Sequence, residues 1–364
     1  MEQAAMTSFA TVSPSISSSS ARLWPTNRPS ADPASNRLLA NLSQREIPSL
    51  YGLRGIAALI VVFYHYLEGS KLNGIIPGPY AVTLFFELSG LLITWLLLQE
   101  IETTGKVAWR FFYYRRALRL FPLFYVIWAL WRMAGSFPGS VATFFYMGDY
   151  YTALTGHYSI LTSAWSLGVE EKFYLLWPLL LVMLNGPTRI KVLSGVLLFE
   201  PIYRSTLTLI GFRTYTWFAF DTHLDAIVLG CLIAILVKEG WNPPQWLFHR
   251  ATPWIALVLV FALQSQSDIV TYLLAVILIS VVCRPAALLN STVARYFGRI
   301  SYALYLCHVY TSAVIWPRLR VHIPHHVGLP VSLTAQIAIA TVFASALHFA
   351  VDRPFLRIKT ALRN

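Results

Sequence analysis

Charge is scarce in this chain. Asp, Glu, Lys and Arg make up only 12% of it, against 56% hydrophobic residues. Mean hydropathy is +0.57. A soluble domain carries about 25% charged residues. A chain so poor in charge cannot cover a water-facing surface, so part of its surface must face lipid. Length alone would allow two or three soluble domains, and this composition excludes them. Cysteine is scarce too: Cys231, Cys283 and Cys307 lie in or beside apolar runs, without metal-ligand spacing. No disulfide framework is implied, and the redox compartment stays open. Residues 1–44 lack an apolar run long enough for a signal peptide. They are rich in Ser, Pro, Ala and Asn without helical periodicity, which predicts a disordered tail, with a faint likeness to a transit peptide.

Acidic residues are scarcer than basic ones, 16 against 28, for a net charge of +12. In a soluble protein that balance raises the question of nucleic acid. In a membrane chain it is explained by the positive-inside bias of cytoplasmic loops.

What the chain does have is recurrent apolar segments, at 50–68, 80–98, 119–133, 166–184, 192–210, 224–237, 253–264, 269–283, 300–316 and 331–350. They predict an all-α polytopic integral membrane protein of about ten transmembrane helices, although several are short for a bilayer that needs about 20 residues. Basic residues fall in alternate loops. Lys106, Arg110, Arg115, Arg116 and Arg119 precede the third segment, Arg284, Arg295 and Arg299 precede the ninth, and Arg353, Arg357, Lys359 and Arg363 follow the tenth. The 134–164 loop contains neither Lys nor Arg. This asymmetry places both termini in the cytoplasm. The division is then a 1–44 tail and a 45–360 transmembrane domain.

Ionisable side chains inside such segments are costly and are functional candidates. Arg54 and His65 are eleven residues apart on the first, which on a helix is roughly 20° beyond three turns and about 16 Å along the axis. The guanidinium could hold a phosphate or carboxylate at the cytoplasmic entrance, and the deeper imidazole could act as general base. Spacing alone equally allows a snorkelling Arg and a packed His. Arg115, Arg116 and Arg119 would share one positive helical face, suited either to a polyphosphate or to lipid headgroups. Glu170 shares a stripe with Phe173, Tyr174 and Trp177, whereas Glu171 points about 100° away. Ser301, Tyr305 and His308 also share a stripe, which fits a polar cavity or interhelical bonding. Glu200 and Arg204, at i,i+4, read as an internal ion pair. His322, His325 and His326 sit in a loop without a carboxylate or cysteine to complete a metal site, so no metal is expected.

Six segments, in order, are similar to motifs of the membrane-bound acyltransferase-3 family. They are Arg54 with His65; Phe85-Phe86-Glu87-Leu88-Ser89-Gly90; Arg115-Arg116-Ala117-Leu118-Arg119-Leu120-Phe121-Pro122; Trp165-Ser166-Leu167-Gly168-Val169-Glu170; His223-Leu224-Asp225-Ala226 with Gly230; and Ile300-Ser301-Tyr302-Ala303-Leu304-Tyr305-Leu306-Cys307-His308. The resemblance covers about residues 48 to 357. It implies O-acylation of a carbohydrate or lipid-linked acceptor by an acyl-CoA, expected to be acetyl-CoA, in a bacterial inner membrane. With that resemblance the catalytic residues expected are His65 as general base and Glu170 as the buried carboxylate that orients either the base or the acceptor hydroxyl. Arg54, Arg115, Arg116 and Arg119 bind the donor, while Ser89, Tyr305 and His308 contact the substrate. The partners implied are acyl-CoA, the acceptor and membrane lipid, without nucleic acid. Two positions depart from the pattern. Glu87 stands where an aliphatic residue is expected, and Lys172 replaces the commoner glutamine. The expectation is the membrane-only form of the family, without an esterase-like segment after the last apolar run. The alternative is a proton-coupled transporter, which internal inverted repeats would favour; the two halves show no convincing similarity.

Overall fold

The computed structural model describes residues 38, 40–44, 47–135, 137–158, 161–321 and 328–361. Among these no strand occurs. The helices are α1 (Pro48–Tyr66), α2 (Gly78–Thr104), α3 (Trp109–Ala134), α4 (Ser140–Phe144), α5 (Gly148–Thr155), α6 (Trp165–Met183), α7 (Gly186–Leu209) and α8 (Arg213–Phe218). They continue with α9 (Leu224–Lys238), α10 (Thr252–Ala262), α11 (Ser267–Cys283), α12 (Thr292–Tyr310), α13 (Trp316–Arg320), α14 (Leu329–Leu347) and α15 (Arg353–Ala361). Each of the ten apolar segments falls mainly on one of these helices, the ninth running on from α12 to Trp316 and the tenth from α14 into the turn that follows it. Among the described residues, four stretches are long and apolar enough to cross a membrane: Pro48–Tyr66, Asn73–Thr104, Trp109–Ala134 and Leu329–Ile358. Most of the Ser/Pro-rich tail, and the three loop histidines at 322, 325 and 326, lie outside the described residues. Nearer α1, Leu38 and Leu42 are buried. Beside them, Asn41 Nδ2 donates to the Val282 carbonyl at 2.8 Å.

Local chemistry sets several helix ends. Pro48 opens α1, where its missing N–H costs nothing. The Ser291 hydroxyl accepts from Ala294 N at 3.2 Å and caps α12. Gly105 closes α2 in the left-handed region, at φ +74°. Along α6 and α7, Leu175, Leu179, Leu198, Phe199 and Ile202 are exposed apolar side chains, as a lipid-facing belt requires.

Two close crossings organise the interior. A Cβ on Gly90 would lie 2.1 Å from the Ile227 carbonyl oxygen, and one on Gly230 would lie 2.1 Å from that of Glu87. Helices α2 and α9 therefore touch backbone to backbone, a contact only glycine allows. Register rises together along the two chains, from Glu87–Gly230 to the Glu102–Lys238 ion pair at 2.6 Å, so they run parallel. Similarly, a Cβ on Gly298 would lie 2.0 Å from the Tyr51 carbonyl oxygen. Further along, His65 meets His308, so α1 and α12 are parallel too. This second crossing lines up the polar residues of α1 and α12.

Two π-helical turns interrupt long helices. One, Thr311–Ile315, follows α12, and the other, His348–Asp352, joins α14 to α15. Such turns are frequent at functional sites. Both lie beside the polar features of α1 and α12.

Candidate active site

The first feature is a cavity of about 310 Å³ at the start of α1. Four arginines line it: Arg54 from α1, Arg119 from α3, and Arg295 and Arg299 from α12. Its one carboxylate, Asp352, bonds His348 Nδ1 at 2.9 Å in the π-turn. None of the four guanidinium groups makes a carboxylate ion pair among the described residues. Arg54 Nε and Arg295 Nε are buried without a hydrogen-bond partner. Unpaired guanidinium groups around one space make an anion site, and their planar forks match phosphate oxygens.

The second feature is a histidine pair at the far end of α1. His65 Nδ1 lies 2.9 Å from the Val61 carbonyl oxygen and 3.3 Å from His308 Nε2. His308 is fully buried, and its Nδ1 lies 2.7 Å from the Tyr305 carbonyl oxygen. A carbonyl only accepts, so in the neutral pair both Nδ1 atoms carry the proton. The tautomers are thus assigned by the hydrogen-bond network. His308 Nε2 then accepts from His65, sharing that proton with Val61. His65 Nε2 is left with its lone pair, the form a general base needs. Tyr66 Oη donates to the His308 carbonyl oxygen at 3.0 Å and bonds the Thr311 hydroxyl at 2.7 Å, tying the pair to the π-turn.

Between these features lies Glu170. Its carboxylate accepts from Ser89 Oγ and Tyr174 Oη, each at 2.9 Å, and those two hydroxyls are 3.0 Å apart. Arg54 and Arg119 lie within electrostatic reach. The expected stripe on α6 is therefore real, and Tyr174 completes it.

The expected donor arginines divide. Arg54 and Arg119 share the cavity. Arg116 packs over the Phe112 and Tyr174 rings, 5.7 and 5.5 Å from their centroids. Arg115 faces Glu100 at 3.7 Å instead. Arg295 and Arg299 were expected only as loop charges. Their signal was legible, because Arg295, Arg299 and Tyr302 follow i, i+4, i+7 and all three line the cavity. Glu170 does not contact His65; the group that does is His308. Of the α12 stripe, Ser301 lines the cavity, Tyr305 Oη bonds Ser166 Oγ at 2.6 Å, and His308 reaches His65.

The two departures from the motif also have places. Lys172 Nζ binds buried Asp149 at 2.8 Å, fastening α5 to α6. Burial pushes the Asp149 carboxyl up from its ordinary range, and the Lys172 hydrogen bond and charge pull it back. Glu87 is fully buried, and neither carboxylate oxygen has a hydrogen-bond partner among the described residues. Glu200 pairs with Arg204 at 3.1 Å as expected, and Arg204 also binds Asp225 at 2.8 Å and Asp268.

Comparison with known proteins adds a family. The profile described as acyltransferase domain matches residues 47–350. The peptidoglycan O-acetyltransferase OatA of Listeria monocytogenes is 28% identical over 336 residues, covering 78% of this chain and 52% of that protein. The putative peptidoglycan O-acetyltransferase YrhL of Bacillus subtilis is 28% identical, covering 85% of this chain and 55% of its own length. A putative O-acetyltransferase of Staphylococcus aureus is also 28% identical, at 85% and 57% coverage. The chain spans about half the length of the curated relatives it matches. No solved structure matches significantly.

Proposed function

The chain belongs to the acyltransferase domain family, and from that premise we propose that it moves an acyl group from acyl-CoA, by preference acetyl-CoA, to a carbohydrate hydroxyl. The relatives' names favour a cell-wall glycan as acceptor. Membership in this family gives no support to the transporter reading.

In this reading the chain crosses the bilayer about ten times with both termini cytoplasmic. The parallel crossings support it. Helices α1 and α12 carry the first and ninth apolar segments, and α2 and α9 carry the second and sixth, so each parallel pair has matching parity. The arginine cavity then opens on the basic, cytoplasmic side.

The observation that carries the proposal is the pairing of an unneutralised arginine cavity with a histidine about 16 Å further along the same helix. The residues fit coenzyme A. Its phosphates would be held by Arg54, Arg119, Arg295 and Arg299, and its pantetheine arm would run along α1 toward His65. His65 Nε2 takes the proton of the acceptor hydroxyl as its oxygen attacks the thioester carbonyl. The carbon–sulfur bond breaks, and the proton passes to the departing thiolate, giving the ester and free CoA. His308 orients His65, and Glu170 holds Ser89 and Tyr174 in place beside the donor path. An acyl-histidine intermediate is a variant of the same geometry.

The test is CoA release from acetyl-CoA by protein in lipid, with a crude glycan extract, for wild type and His65→Ala. The expected result is extract-dependent release, falling on the order of a hundredfold or more in the variant. Release that survives the substitution would remove His65 as the base. Neither release nor protection from heat by acetyl-CoA would remove the acyltransferase reading itself.

A further inference from the structure

A second and larger cavity, of about 680 Å³, lies at the opposite end of α1 from the arginines, and its walls include Tyr64, Tyr80, Trp165, Trp217, Asn73 and Gln264. Neither cavity is lined by His65 or Glu170, so the interior between the two is closed at these residues. We infer that the stretch from Ser140 to Thr155 is a re-entrant plug, whose tip, Tyr146, shuts the bundle between the arginine cavity and the opposite face; it rests on the spanning arrangement proposed above and not on the reaction.

After α3 the chain turns back along it. Trp128 Nε1 donates to the Ser140 carbonyl oxygen at 3.0 Å, and Tyr125 Oη to that of Phe144 at 3.4 Å. Tyr146 then stacks on Phe124, with centroids 4.2 Å and planes 22° apart, and meets Phe121 at 5.6 Å. Phe121 is thirteen residues before Ala134, so the tip lies about 20 Å in from the end of α3, near its middle. The stretch contains neither Lys nor Arg, and Val141, Phe145 and Met147 expose apolar side chains, as a position at lipid depth requires.

Tyr146 is held there against its own preference. Among the described residues it is the one non-glycine with a left-handed backbone, at φ +57°, a costly conformation for a bulky side chain. Its hydroxyl is buried without a hydrogen-bond partner among the described residues, and so is Oε1 of Glu171, which lies within electrostatic reach. The hold comes from α6. Lys172 Nζ donates to the Tyr146 carbonyl oxygen at 2.9 Å and to the two Asp149 oxygens at 2.8 and 2.9 Å. Gly168 makes room, because a Cβ there would lie 2.7 Å from that carbonyl oxygen. Non-helical backbone at membrane depth must be satisfied inside the protein, and this ammonium does so. Strain on one side and a single cation on the other make the tip a two-state element.

The tip also stands where a passage would run. Its hydroxyl is within electrostatic reach of Tyr302, a wall of the arginine cavity. On α12, Tyr302 is three residues beyond Arg299 and six short of His308, roughly 5 and 9 Å along the axis. Protons crossing the bundle, or water reaching the thioester from the opposite face, must pass this level. Withdrawal of the tip opens it.

The experiment is proton entry into sealed vesicles that hold the full chain and trapped pyranine, after a step in outside pH. Wild type, Tyr146→Phe, Tyr146→Gly and Lys172→Met are compared, and the unfolding temperature of each is measured in lipid. We expect wild type and Tyr146→Phe to be as tight as protein-free vesicles, because the ring fills the space and the hydroxyl has no hydrogen bond to lose. Lys172→Met should admit protons about tenfold faster, the size of one lost charge-assisted bond. Tyr146→Gly should leak at least as fast without unfolding earlier, since glycine accepts the left-handed backbone. Acceptor-independent release of CoA from acetyl-CoA should rise with the leak. Glycine and methionine variants as tight as wild type, or a wild type as leaky as they are, overturn the plug. So does a leak that comes only with a lowered unfolding temperature. Acyl transfer that continues in tight variants sinks the plug and spares the acyltransferase reading. The expected leak pattern without any thioester cleavage upholds the plug and sinks that reading instead.

Discussion

His65 and His308 form one unit, because each imidazole is held by a carbonyl of its own helix and by the other ring. The buried ring makes no contact that would suggest a separate task; it supplies an acceptor for the proton that must stay on Nδ1. Removing it frees His65 to flip and to change tautomer. His308→Ala is therefore expected to lower kcat on the order of a hundredfold with KM for acetyl-CoA unchanged. Steady-state kinetics at fixed acceptor checks this; a change confined to KM would assign His308 to donor binding. Glu87 makes the opposite case. A fully buried carboxylate without a hydrogen-bond partner among the described residues costs stability, and it lines neither cavity. Glu87→Leu should raise stability by about 1–3 kcal/mol and leave acyl transfer intact, read as a higher unfolding temperature in lipid.

At the scale of elements, glycine decides where polar residues meet. The α2–α9 and α1–α12 crossings bring backbones into contact, and side chains several turns away fall into register as a result. On Gly230 a Cβ would meet a carbonyl oxygen, which cannot turn aside as a flexible side chain would. Gly230→Val should then cost about 1–3 kcal/mol through forced separation of the helices. Thermal unfolding in lipid measures the loss, and it should exceed that of Gly195→Val, because Gly195 meets no neighbour. Lys172 works at the same scale: its bond to Asp149 pins the 134–164 loop, which has neither Lys nor Arg, onto α6, the helix that carries Glu170. A glutamine there is neutral and would bring no charge to that buried carboxylate.

For the whole molecule, the proposed reaction would be directional, because the two cavities lie at opposite ends of α1. Guanidinium groups gather at the basic end and aromatic amide-rich walls at the other, with the histidine pair on the side of the second. In sealed vesicles of one orientation, acetyl-CoA should support transfer only from the face bearing Arg299. An impermeant acceptor should be modified only on the opposite face. Transfer with both substrates added to one side alone would overturn the two-ended arrangement.

Some of this was settled along the chain itself. Scarcity of charge, ten apolar runs and the spacing of basic residues specify a helical membrane protein, since a bilayer imposes its requirements on each helix separately. Helical periodicity likewise places Arg54 and His65 on one face and joins Glu170 to Tyr174, because neighbours on one helix depend only on its pitch. Tertiary structure alone decided which helices meet. It separated Arg115 from Arg119, brought Arg295 and Arg299 in beside Arg54, and set His308 against His65. Those outcomes depend on how closely two backbones can approach, through glycines whose significance no local pattern carries. The larger cavity has the same origin, since its walls come from loops and helix ends that only the packed bundle assembles.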